Sequence, residues 1–178
     1  MIDEPLVDRH VWYRIADAAW ANPLEPTYAL RFGGRWNAPG SFAALYLNED
    51  VVTARMNLRR FVAGWPYEPE DLRDDTGPHL VAATLPRAQR VCDAHSVEGV
   101  AAVGLPPTYP LDRRGRLVGH AVCQVVGQEA KAAGLRGVRC RSARAPEGAG
   151  RELAWFPATR RSCAVEVDRL TFGDWFWS

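Results

Sequence analysis

Proline and glycine do most to limit what this chain can fold into. Its 178 residues include 13 prolines and 15 glycines, spread along the whole length rather than gathered in one linker. Proline fixes φ and lacks an amide donor, and glycine favours turns, so the chain is cut into many short elements. That pattern predicts one domain of modest strands and helices over residues 1–178, since a domain usually spans about 100–200 residues. Hydrophobic residues at 47% and charged residues at 24% are ordinary for a globular chain, which excludes disorder and coiled coil. The formal net charge of +1 gives no bulk attraction to nucleic acid or to an anionic membrane. No stretch approaches the roughly 18 apolar residues that a membrane span needs. The start, Met-Ile-Asp-Glu-Pro, has neither the basic opening nor the apolar core of a signal peptide, so a cytoplasmic location is expected.

Local patterns place the elements. Residues 11–16 and 44–48 read as strands. Asn48 or Asp50 can cap a following helix, in which Val51, Ala54, Leu58, Phe61 and Trp65 share one face until Pro66 stops it. Residues 69–78 are polar and acidic and read as a surface loop. A strand is expected at 79–85, a short helix capped by Ser96, and a proline-rich loop at 104–115. A second helix is expected at 116–133, with Leu117, Ala121, Val125 and Ala132 as its stripe and Gly134 near its C-cap. Strands follow at 138–142, 152–158 and 163–167. The aromatic tail Trp175, Phe176, Trp177 is expected to pack. The irregular order of strands and helices predicts an α+β fold. Cys92, Cys123, Cys140 and Cys163 lie far apart with no C-x-x-C pair, so they read as reduced thiols, and no metal site is expected.

Two segments carry chemistry. In residues 31–40 the pair Gly33-Gly34 is bracketed by Arg31 and Arg35, whose planar guanidinium groups suit phosphate or carboxylate. The spacing is neither a Walker loop nor a dinucleotide fingerprint. In residues 139–152, Ser142 lies among Arg139, Arg141 and Arg144 ahead of a glycine-rich loop. Ser142 can donate to an anion while Arg141 or Arg144 supplies charge. The four histidines are scattered and bear no evident relation to a nucleophile.

Tyr13-Arg14-Ile15, then Phe32-Gly-Gly-Arg-Trp-Asn-Ala-Pro-Gly40, Ala44-Leu-Tyr-Leu47 with a helix behind it, and Arg141-Ser-Ala-Arg144, in this order, resemble the RES-domain family, named for an Arg, a Glu and a Ser. The resemblance runs from Arg14 to about Phe156. It implies a fold similar to ADP-ribosyltransferases, with small twisted sheets flanked by helices. It also implies cleavage of the N-glycosidic bond of NAD+, with ADP-ribose passed to water, phosphate or a protein. NAD+ is then a substrate, with no permanently bound cofactor. The usual partner in the family is an Xre-type antitoxin, and nucleic acid and membrane are not direct partners. The oligomeric state stays open, a homo-oligomer included.

Carried across, the resemblance places the family Arg on Arg14, a second motif arginine on Arg35, the motif tyrosine on Tyr46 and the Ser on Ser142. Arg14, Arg31, Gly34, Arg35, Tyr46 and Ser142 are the implied NAD+-binding residues. A count without gaps puts Asn57 where the family has its Glu. Glu152, Glu147 and Glu49 are the acids that can replace it, Glu152 being taken with Arg14, Tyr46, Asn57 and Ser142 as the catalytic set. The alternative is a module that binds NAD+ or a protein with little catalysis, because Asn57 brings no charge.

Overall fold

The computed structural model describes residues 1–145 and 149–178. Its eight strands are β1 (Asp3–Pro5), β2 (Val11–Ala16), β3 (Leu45–Asn48), β4 (His79–Thr84), β5 (Arg90–Ala94), β6 (Gly137–Arg141), β7 (Arg151–Trp155) and β8 (Val165–Leu170). They form one mixed sheet in the order β1-β5-β6-β7-β3-β2-β4-β8. Among the described residues only β5 and β6 run parallel, joined by a crossover through α3 (Val97–Ala102) and α4 (His120–Ala132). The α+β class is as expected, but the strands join in one sheet rather than several small ones. Strands β1 and β5 and helices α1 (Thr27–Phe32) and α5 (Phe172–Phe176) had no sequence signal, being too short for a periodic pattern.

The register links β2 to β3 through one pair, Tyr13 with Asn48. Directly paired residues share a face, and neighbours along a strand point to opposite faces. Ala94, Cys140, Glu152, Asn48 and Tyr13 therefore form one row across five strands. On the row's face, α3 and α4 cover one half of the sheet, burying Trp36, Tyr109, Cys123, Val126 and Ala130 against Val138 and Ala154. Helix α2 (Val51–Val62) and α5 cover the other half, burying Ala54, Leu58 and Val62 with Phe172, Trp175 and Phe176. The opposite face packs Trp12, Val81 and Ala83 with Leu45, Leu47, Leu153 and Trp155.

Helix α2 keeps Ala54 and Leu58 of its expected stripe in the core and departs from it only at its C-terminal end, whereas helix α4 buries a different face from the expected one. Asp50 caps α2, accepting from the Thr53 amide at 2.6 Å. Val62 takes the core position, while Phe61 and Trp65 are 52% and 45% exposed and pack on each other. Helix α4 starts at His120, shortly after a β-bridge between Leu111 and Leu117, and buries Cys123, Val126, Gly127 and Ala130. Its expected stripe faces out, with Leu117 50% and Val125 58% exposed. The cause is close packing: a Cβ on Gly127 would overlap the Trp36 carbonyl, so the 33–37 turn seats only on the small-residue face. Trp177, at the end of the tail, is half exposed, whereas Trp175 and Phe176 are buried as expected.

Candidate functional site

The polar centre of the molecule lies in the seam between the two apolar clusters of the helical face. Strand β3 delivers Asn48, β7 delivers Glu152, α2 delivers Asn57, and Ser142 follows directly after β6. Asn57 Nδ2 donates to Asn48 Oδ1 at 2.6 Å and to Glu152 Oε1 at 2.8 Å. The Ser142 hydroxyl lies 2.6 Å from Glu152 Oε1 and 3.0 Å from Asn57 Oδ1, and its single proton takes the shorter contact. Ser142 Oγ also accepts from the Arg144 and Ala145 amides, which turns the chain away from the strand. Asn48 Nδ2 donates to the Tyr13 carbonyl and ties the cluster to β2. Ser142 and Asn48 are buried, Asn57 and Glu152 partly so. Glu147 lies outside the described residues.

The arginines of this region divide sharply. Arg141 is spent on the fold, donating to the His95, Pro107 and Tyr109 carbonyls and pinning the proline-rich loop. Arg144 is exposed, with its guanidinium over the Phe61 ring. Desolvation lowers its pKa, and the neighbouring Glu152 carboxylate acts against that shift. Of the two arginines weighed for an anion beside Ser142, Arg144 has the available head group. Glu49, the third candidate acid, is paired with Arg139.

The 33–37 turn is locked on every side. Gly34 N donates to Asn37 O, and Gln124 Nε2 donates to Gly34 O at 2.9 Å. The Tyr46 hydroxyl accepts from Trp36 N at 2.9 Å and donates to Asn37 Oδ1 at 2.8 Å, and burial pushes its phenol far above the usual range. A Cβ on Gly34 would overlap that hydroxyl, so glycine here serves the Tyr46 contact. Arg35 reaches across to donate to the Val118 carbonyl at 2.9 Å. Tyr109, which the sequence did not single out, packs its ring 6.0 Å from Trp36. It is almost fully buried, and its hydroxyl has no partner among the described residues.

Arg14 lies apart from this cluster. It pairs with Val81 and leaves β2 on the face opposite Tyr13 and the polar row. Its guanidinium lies over the Trp20 ring at 5.7 Å, and its buried Nε has no partner among the described residues. Burial draws its pKa down to about 10, which leaves it charged at neutral pH. With Trp20, Tyr28, Phe32, Glu25 and the exposed Arg31 it lines a cleft of about 360 Å³. A further polar group, Glu4, Asp93 and His95, has ligand atoms within 4.8 Å of one another. Arg139 against Glu4 and the Ser96 bonds to Asp93 already occupy those carboxylates.

The RES domain family model matches residues 11–174, nearly the whole chain. This chain belongs to the RES-domain family. None of the curated proteins matches it in sequence. A chain of the solved M. tuberculosis MbcT–MbcA toxin–antitoxin complex has a similar fold, with a TM-score of 0.73 and 22% identity over 95% of this chain and 90% of that one. Set on this RES domain, the implied residues fall into three places: Asn57, Ser142 and Glu152 in the cluster, Gly34, Arg35 and Tyr46 in and beneath the turn, and Arg14 and Arg31 in the cleft. No helix among the described residues is long and apolar enough to cross a membrane.

Proposed function

We propose that this RES domain binds NAD+ and cleaves its nicotinamide N-glycosidic bond, passing ADP-ribose to water, phosphate or a protein. The observation that carries the reading is the direct bonding of Ser142, Asn57 and Glu152, drawn from three separate elements of a RES-domain chain. Breaking this bond places positive charge on the ribose while nicotinamide leaves as a neutral molecule, so no general acid is obligatory. The protein has to hold the pyrophosphate, hold the ring and stabilise the cation. Arg14, charged and with an unpartnered Nε, suits a phosphate through charge-assisted bonds, and Arg31 adds charge at the same cleft. Trp20, Tyr28 and Phe32 offer ring faces for stacking.

A toxin role under the control of an antitoxin accompanies this reading. It is supported by the fold shared with a chain of a toxin–antitoxin complex, and an Xre-type partner follows from the family resemblance. The test is incubation of the pure full chain with NAD+, with and without inorganic phosphate, and identification of products by mass. Nicotinamide with ADP-ribose, or with its phosphate ester when phosphate is present, is the expected outcome. Intact NAD+ in both arms contradicts the reading.

A further inference from the structure

We infer that Glu152 carries the catalytic charge of this site, so that the acid lies on strand β7 and Asn57 on helix α2 positions it. The inference rests on the reading above that NAD+ is cleaved. Glu152 stands directly between Cys140 and Asn48 in the polar row, so it projects on the face where α2 lies. There its Oε1 accepts two hydrogen bonds, from Ser142 Oγ at 2.6 Å and from Asn57 Nδ2 at 2.8 Å. Asn57 is in turn fixed through its second amide proton to Asn48, and its Oδ1 faces Ser142. One carboxylate oxygen is therefore held by two donors. Oε2 has no hydrogen-bond partner among the described residues, and Glu152 is only partly buried.

This is the arrangement a cation-stabilising carboxylate needs. Its geometry is set before substrate arrives, so no reorganisation is required as charge develops. In the reaction the bond between the anomeric carbon and nicotinamide breaks, and its electron pair leaves on the nicotinamide nitrogen, which becomes neutral. The anomeric carbon becomes electron-poor, and the negative charge of Glu152 stabilises it. An oxygen of water or phosphate then bonds to that carbon and its proton passes to solvent. Asn57 cannot provide the charge, since an amide is neutral. A glutamate at position 57 would instead place a second carboxylate against Glu152, and two like charges at this separation oppose each other's ionisation. The helix residue and the strand residue thus share one acid between them, and the acid stands on the strand.

The test is nicotinamide release by wild type, Glu152→Gln, Asn57→Glu and the double variant carrying both changes, with ADP-ribose binding measured by calorimetry. Glu152→Gln keeps an oxygen to accept from Ser142 and Asn57 and removes only the charge. It is expected to lower kcat by about 10²–10³ with ADP-ribose affinity changed less than about threefold. Asn57→Glu alone is expected to release less nicotinamide than wild type, and the double variant at least about tenfold more than Glu152→Gln. If Glu152→Gln does not fold, Asn57→Glu decides: release below wild type supports the inference and release above it overturns it. Full activity in a folded Glu152→Gln overturns it as well. An inactive wild type beside an active Asn57→Glu overturns this inference alone and leaves the NAD+ reading standing. Absence of cleavage and of NAD+ binding in both overturns the reading, and the inference with it.

Discussion

The 33–37 turn and the Arg14 cleft both join arginine to aromatic rings, yet their polar groups are treated in opposite ways. In the turn, Gly34, Trp36, Asn37 and Tyr46 bond one another or α4, and Arg35 holds the Val118 carbonyl. In the cleft, the Arg14 guanidinium is drawn out of water with Nε left unmatched, and the Tyr28 and Phe32 rings remain exposed. A buried donor without a partner costs about 1–3 kcal/mol. The turn's polar groups are matched within the fold, whereas Nε of Arg14 in the cleft is not. The same glycine-and-arginine chemistry that suggests a phosphate loop in sequence is, in the turn, mainly architecture.

Three substitutions test this contrast. The largest effect is expected from Gly34→Val, whose side chain would collide with the Tyr46 hydroxyl beneath the turn. Overpacking of this kind costs about 1–3 kcal/mol or more, and urea melts should show a lower midpoint. A midpoint equal to wild type would mean that the turn is loose and free to move over a ligand. Next comes Arg35→Ala, which deprives the Val118 carbonyl of its charged donor. A loss of about 1.5–3 kcal/mol is expected on the same melts, in addition to any loss of NAD+ binding. Full stability with lost binding would make Arg35 a ligand group alone and erase the distinction drawn here. The smallest stability change is expected from Arg14→Gln, since removing a desolvated charge takes away little that holds the fold together. Its unfolding free energy should change by less than about 0.5 kcal/mol, while ADP-ribose affinity measured by calorimetry should fall at least about tenfold.

What could be read from the sequence follows the range of the forces involved. Strands β2, β3, β4, β6 and β7 and the cap of α2 are legible because alternation and capping act between near neighbours. The buried face of α4 is not, because Gly127 against Trp36 O decides it across a gap in sequence that no helical period reports. At the site, Ser142 and Asn57 are legible through the order of motifs. That Glu152 rather than Glu49 meets them depends on register: Asn48 pairs with Glu152, while Glu49 turns to Arg139. Tyr109 gave no signal, since a tyrosine between two prolines looks like any loop residue until its hydroxyl is found buried without a partner.

The most direct test of the account is a multiple-turnover time course of nicotinamide release from NAD+ by the unmodified full chain, run beside Ser142→Ala. The account predicts steady release beyond one equivalent per chain. Ser142→Ala should be slower by about tenfold or more, because Glu152 loses its shortest donor and Asn57 its hydroxyl neighbour. NAD+ left intact by the unmodified chain, at protein concentrations equal to the substrate, would contradict it.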